Sequence, residues 1–181
     1  MNAAEKTQYH LVTLHAQPYD VEARGFYFHS LEEYEEKADK NLNSWGGKVE
    51  EYEMQFIDGE GDQELLDRLP LAEFFEIVET WKSEDIEKIH LLAEAVGWHY
   101  IASTASELED QIQDLIVYTS THSKDDLGAE VMEAQDPEAY EKIRPYHHYF
   151  AFDRWLDDQL CGSSAITFYR DGKHYFIEYI G

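Results

Sequence analysis

The chain has 181 residues, enough for one ordinary domain or two to three small ones, and 43% of them are hydrophobic, with 13 Tyr, 9 Phe and 4 Trp to fill cores. Its 39 Asp and Glu face only 14 Lys and Arg, a formal charge of −25, so it repels nucleic acid and anionic membrane and steers toward basic partners. The single cysteine, Cys161, excludes an internal disulfide framework and a thiolate metal cluster and fits a reducing compartment.

The opening residues show no basic start followed by an apolar run, and nowhere do about 18 apolar residues follow one another, so the expectation is a soluble, cytoplasmic protein. Tyr9 to His15 is β-prone, and after a turn around Pro18 to Arg24 the aromatic run Gly25-Phe-Tyr-Phe-His29 predicts a second strand. Ser30-Leu-Glu-Glu33 is a capping box that starts a helix running to about Asn41. Gly46-Gly47 breaks the chain, and Lys48 to Ile57 alternates as a strand exposed on one face. Asp58-Gly-Glu-Gly-Asp62 marks a boundary, after which the apolar period becomes helical. Leu65, Leu66 and Leu69, then Phe74, Phe75 and Val78, then Ile86, Ile89 and Ala93 recur at three and four, with Gly97 as a C-cap.

Thr104-Ala-Ser-Glu107 opens another helix whose stripe is Leu108, Ile112, Leu115 and Ile116. Val117 to Thr121 is β-prone, Ser123 to about Ala134 is helical, and a helical turn follows Pro137. Ala165 to Tyr169, the Asp171-Gly172 turn and His174 to Ile180 read as a closing hairpin. The expected fold is α+β, an elongated chain of three units: a β-rich α+β domain over 1–60, an acidic helical domain over 61–117, and an α+β domain over 118–181 that dimerises. Their net charges are −8, −11 and −6, so acidity covers the whole length.

Motifs for catalysis are missing. No His-Glu-x-x-His occurs among the nine histidines, and His147-His148 are neighbours whose rings usually point apart. Asp58-x-Glu60-x-Asp62 resembles the start of a calcium loop, but Gln63 and Leu69 stand where glycine and the bidentate Glu are needed. No Gly-x-Ser-x-Gly or glycine-rich phosphate loop occurs. The expectation is a protein without enzymatic activity, cofactor or metal.

What remains is the carboxylates. Glu32, Glu33, Glu35 and Glu36 form one cluster, and Glu50, Glu51 and Glu53 a second. Glu64, Glu73, Glu76 and Glu79 follow, then Glu84, Asp85 and Glu87, then Glu107, Glu109, Asp110 and Asp114. Most lack a Lys four residues on, whereas a surface shaped for stability alone would intersperse the signs. Because duplex DNA carries one charge per about 1.7 Å of axis, roughly 25 net charges equal those of about a dozen base pairs.

Glu50-Glu-Tyr-Glu53, the acidic helical middle and Tyr149-Phe-Ala-Phe-Asp-Arg-Trp-Leu-Asp-Asp158 together resemble the ArdA antirestriction family. Tyr149, Phe150, Asp153, Trp155 and Asp158 match in kind the family's C-terminal stretch, whereas Ala151, Asp157 and Gln159 depart from it. The resemblance implies a DNA mimic, encoded on a mobile genetic element, whose carboxylates occupy the DNA groove of a type I restriction-modification enzyme at its methyltransferase core. It also implies a homodimer formed through the C-terminal part. Tyr149, Phe150, Phe152 and Trp155 are then candidate interface residues beside Asp153 and Asp158, and neither nucleic acid nor membrane is a partner. The alternative is an acidic protein of a salt-adapted cytoplasm with a hydrolytic or small-ligand-binding role.

Overall fold

The computed structural model describes residues 11–161 and 165–179. Tyr9 and His10, which begin the first expected strand, and Ile180, which ends the last, lie outside them. The fold is α+β, with a β-rich N-terminal region, a helical middle and a mixed C-terminal region that ends in a hairpin.

Three antiparallel strands form the first sheet in the order β2-β1-β3: β1 (Val12–Pro18), β2 (Phe26–Phe28) and β3 (Tyr52–Gly59). Val12, Leu14, Ala16 and Pro18 are buried while the residues between them are less so, the period of two that a strand with one covered face requires. Two strands depart from their expected limits: the central β1 continues through Pro18, and β3 begins at Tyr52 rather than Lys48, Gln17 and Pro18 pairing with Glu53 and Tyr52.

Helix α1 (Leu31–Lys40) is capped as expected by Ser30, whose hydroxyl accepts from the Glu33 amide. The Glu33 carboxylate reaches back one residue further than in the usual box, to the amide of His29 at 2.8 Å. Phe26, Phe28, Tyr34 and Tyr52 pack edge to face and tilted beneath α1 and the sheet, and the Tyr52 hydroxyl is buried there without a hydrogen-bond partner.

Asp58 and Gly59 still belong to β3, and after the short turn at Glu60 and Gly61 Asp62 becomes the N-cap of α2 (Gln63–Arg68), its carboxylate accepting from the Leu65 amide. Gln63 ties that helix back to the sheet by accepting from the Phe56 amide and donating to the Met54 carbonyl. Helix α3 (Leu71–Thr80) buries Phe74, Phe75, Ile77 and Val78, with Phe75 against Phe28. Helix α4 (Ser83–Val96) follows and ends at Gly97, whose amide bonds the Ala93 carbonyl and whose φ of 92° confirms the expected C-cap.

Contacts gather the chain into two units. One comprises the chain through His90 together with Ile101–Glu109, and the other Leu91–Tyr100 together with the chain from Asp110 onward. The Asp58–Asp62 segment lies inside the first.

Helix α5 (Ala105–Gln113) starts at Thr104 as expected but stops before Leu115 and Ile116. Those two residues begin strand β4 (Leu115–Ser120), because their backbones pair with Tyr179 and Glu178. A helical stripe and a buried strand both place apolar residues here, and the distant partner decides between them. The second sheet has the order β4-β6-β5, with β5 (Ala165–Arg170) and β6 (Lys173–Tyr179) joined by Asp171 and Gly172, both at positive φ as a tight hairpin demands.

Ser123 caps α6 (Lys124–Gln135), and Asp136 both follows it and caps α7 (Pro137–Ile143). A 3-10 segment, Arg144–Tyr149, leads to α8 (Phe152–Gln159). Leu127, Val131, Leu156, Ala165 and Phe176 form the core that joins α6 and α8 to the sheet. Gly128 permits this contact: a Cβ there would stand 2.4 Å from the Phe152 carbonyl oxygen.

Candidate functional site

Fifteen of the eighteen carboxylates singled out from the sequence are exposed, and Glu33, Glu73 and Asp85 are half-buried. Those three have structural work. Glu73 accepts from the Ala105 amide at 2.6 Å and so ties α3 to the start of α5. Asp85 pairs with Lys88, and Glu33 with Lys37 four residues on. Glu36 is likewise paired, with Lys40, so α1 carries more i,i+4 compensation than its acidity suggests.

Sixteen of the eighteen belong to the N-terminal unit, and only Asp110 and Asp114 to the other. Glu50 and Glu51 precede β3 and Glu53 lies on it, while Glu64 is in the first turn of α2. Glu84 and Glu87 are exposed on α4, and Glu107 and Glu109 on α5.

The structure brings one set together from elements far apart in sequence. Glu32 and Glu35 on α1 and Glu76 and Glu79 on α3 line a single open groove of about 550 Å³. Each pair is spaced i,i+3, which puts both members on one helix face. Helix α3 turns Phe74, Phe75, Ile77 and Val78 inward, and this leaves Glu76 and Glu79 outward. Leu31, Ala72 and Phe75 supply the apolar part of the lining, and no Lys or Arg lines it. Four carboxylates without a cation between them make a site that favours a polycationic surface.

Neighbouring carboxylates show where cations are already supplied. Burial pushes the Glu33 carboxyl up, but the hydrogen bond from Lys37, the His29 amide and the Lys37 charge outweigh it and hold the group below its usual range. Hydrogen bonding to Lys40 lowers Glu36, and Lys48 lowers Asp39 in the same way. Among the described residues no group of three His, Cys, Asp or Glu is arranged to hold a metal ion. Asp62 caps α2 and approaches His90 at 3.2 Å, and the Ser83 hydroxyl donates to Glu60.

Within the C-terminal tract Phe152 is fully buried, packed with Ala129 and Met132 and against Phe150 and Trp155. Phe152 is therefore unavailable to a second subunit, which corrects its place among the candidate interface residues: the tight α6–α8 crossing uses it as core. Phe150 and Trp155 are half-buried on the same core, whereas Tyr149 is 91% exposed. The Asp153 amide donates to Asp125, and Asp158 is exposed near the end of α8.

Compared with known proteins, the chain matches no family model, no curated protein and no solved structure. Function then rests on the chemistry of the surface itself.

A second hollow, of about 480 Å³, lies wholly within the C-terminal unit and is lined by Leu92, Val96, Ala165 and Ile166 with Tyr100, Gln111 and Tyr179. It is not legible in the sequence, since its walls come from α4, the 3-10 turn at Trp98–Tyr100, α5 and the terminal hairpin. Among the described residues no helix is long and apolar enough to cross a membrane.

Proposed function

We propose that this protein is an antirestriction-type DNA mimic that competes with duplex DNA for the basic groove of a type I restriction-modification enzyme. The observation that carries this reading is the α1–α3 groove, where Glu32, Glu35, Glu76 and Glu79 converge from two helices without a lining cation. Folding stability does not account for it, because like charges held together oppose compaction, whereas binding to a polycationic surface relieves that repulsion. The net charge of −25 supplies the long-range attraction, and the fixed placement of carboxylates on helices supplies the shape. No turnover and no cofactor are needed.

The test is competition between this protein, labelled duplex and a type I methyltransferase at several salt concentrations, with polyglutamate of matched charge as the comparison. The protein's own affinity for the enzyme, obtained by correcting each displacement for the duplex affinity at that salt, should weaken as salt rises, since exposed charges are screened over about 8 Å at physiological ionic strength. The protein should be the more potent competitor at each concentration, because polyglutamate shares the attraction but not the fit. Equal potency reduces the effect to acidity, and no displacement at low salt removes mimicry of that enzyme.

The apolar hollow in the C-terminal unit favours one other reading, a small-ligand-binding role. Its volume falls in the range of small-molecule sites, and Tyr100, Gln111 and Tyr179 provide a few polar groups among aliphatic walls. No carboxylate lines it, so it offers nothing to the hydrolytic form of that alternative.

A further inference from the structure

Trp45 is 84% exposed at the tip of the loop between α1 and β3, and Val21, on the adjoining loop between β1 and β2, is 94% exposed. An indole is among the largest apolar groups a chain can bury, and leaving it in water contributes nothing to the fold. Disorder of the loop does not explain it, because the tip is tied at every turn. The Asn43 side chain accepts from the amides of Trp45 at 3.1 Å and Gly47 at 2.8 Å, and its Nδ2 donates to Asp20 at 2.8 Å. The Ser44 amide donates to the Glu22 carbonyl and the Ser44 hydroxyl to the Glu22 carboxylate, while the Glu22 amide donates to Asp20. Leu42 and Lys48 close the loop as an antiparallel bridge.

Trp45 thus stands on a pre-organised pair of loops that also carry carboxylates. Asp20 and Glu22 belong to the adjoining loop, and the Tyr19 amide bonds the Glu51 carbonyl, which brings Glu50 and Glu51 into the same neighbourhood. Of the nearby cations, Lys48 is already paired with Asp39, and Arg24 on the β1–β2 loop is outnumbered by Asp20, Glu22, Glu50 and Glu51. A flat bicyclic ring exposed on loops that carry Asp20, Glu22, Glu50 and Glu51 offers the chemistry of a base that has left its stack between phosphates. Enzymes that act on a base receive it in a pocket of aromatic and apolar side chains, within a surface that is otherwise basic.

We propose that Trp45 is the anchor of the mimic, inserted into the site of the partner methyltransferase that otherwise stacks an unstacked base. This rests on the DNA-mimic reading above and adds to it the element of fit that charge alone cannot supply. A second copy of this chain is a poor occupant, since each copy carries −25 and meets the loop with like charge.

The experiment is displacement of labelled duplex from a type I methyltransferase by the wild-type protein, Trp45→Ala, Trp45→Phe and Asn43→Ala, each at several salt concentrations. Because base–aromatic stacking is comparable to a strong hot spot, Trp45→Ala should bind about 5- to 150-fold more weakly. Trp45→Phe should recover part of the loss, and Asn43→Ala should lose affinity because the tip is no longer held. For Trp45→Ala the dependence of log affinity on log salt should keep its wild-type slope, since no charge is removed. If wild type displaces duplex and Trp45→Ala does so equally well, the anchor is wrong and mimicry stands. If Trp45→Phe is as weak as Trp45→Ala, stacking is wrong. If wild type displaces nothing at low salt, mimicry and the anchor fall together.

Discussion

Glu33 accepts from the His29 amide at 2.8 Å and from the Lys37 ammonium at 2.7 Å, so a single carboxylate fixes the start of α1 and holds its first turn. Its folded pKa is lowered despite burial, which raises it, because the Lys37 and His29 interactions prevail. A depressed carboxyl contributes stability that is present above the ordinary glutamate value of 4.5 and is lost as pH falls through the lowered folded value. Glu33→Gln keeps an oxygen for the amide and removes only the charge. Urea unfolding should find it less stable at pH 7 by about 0.5 kcal/mol, the scale of an exposed i,i+4 pair, and equal to wild type once both are below the carboxylate range. A gap that persists in acid would show that packing rather than charge was lost. Ser30 and Glu33 are legible in sequence because capping is local, its partners standing three positions apart. Glu73 is not, since its partner amide, Ala105, lies thirty-two residues away.

The elements repeat that contrast. Helices α3 and α4 are readable from their apolar period, and their N-terminal signals lie within a turn of the helix they start. Leu115 and Ile116 fit a helical stripe equally well, and only pairing with β6 makes them a strand. The acidic groove is also a product of two elements. Because Glu76 and Glu79 line it and Glu84 and Glu87 on α4 do not, charge reversals separate the groove from general acidity. Glu76→Lys with Glu79→Lys should weaken binding to the methyltransferase at low salt by at least about tenfold, since two like charges then face the partner. Glu84→Lys with Glu87→Lys changes net charge by the same amount and should weaken it less. All four residues are exposed, so circular dichroism should match wild type. Equal losses in the two double variants would count against a privileged groove.

For the whole molecule, charge sets opposite rules for two kinds of association. A basic target is attracted by −25, and salt weakens that binding. Two copies repel each other, and salt screens the repulsion, so self-association should strengthen over the same range. The expected homodimer has to use residues that the core leaves over. With Phe152 buried, these include Tyr149 at 91% and Tyr146 at 65% exposed, both on the 3-10 segment before α8. Light scattering at micromolar concentration should give twice the 21.2 kDa protomer mass, increasingly so with salt, and Tyr149→Asp should return it to one. A protomer mass at every salt concentration would remove the dimer.

Sequence by itself determined the α+β class, the break at Gly46-Gly47, the turn at Asp171-Gly172, the caps at Ser30 and Thr104, and the excess of carboxylates. These follow from bonds between residues a few positions apart, or from composition, which needs no fold at all. Tertiary structure alone decided that Glu32 and Glu35 meet Glu76 and Glu79, that Leu115 opens a strand, that Phe152 is core, and that Trp45 is left in water. Each of those depends on which surfaces close over one another, and the period of an apolar stripe names the face to be buried but not the partner that buries it.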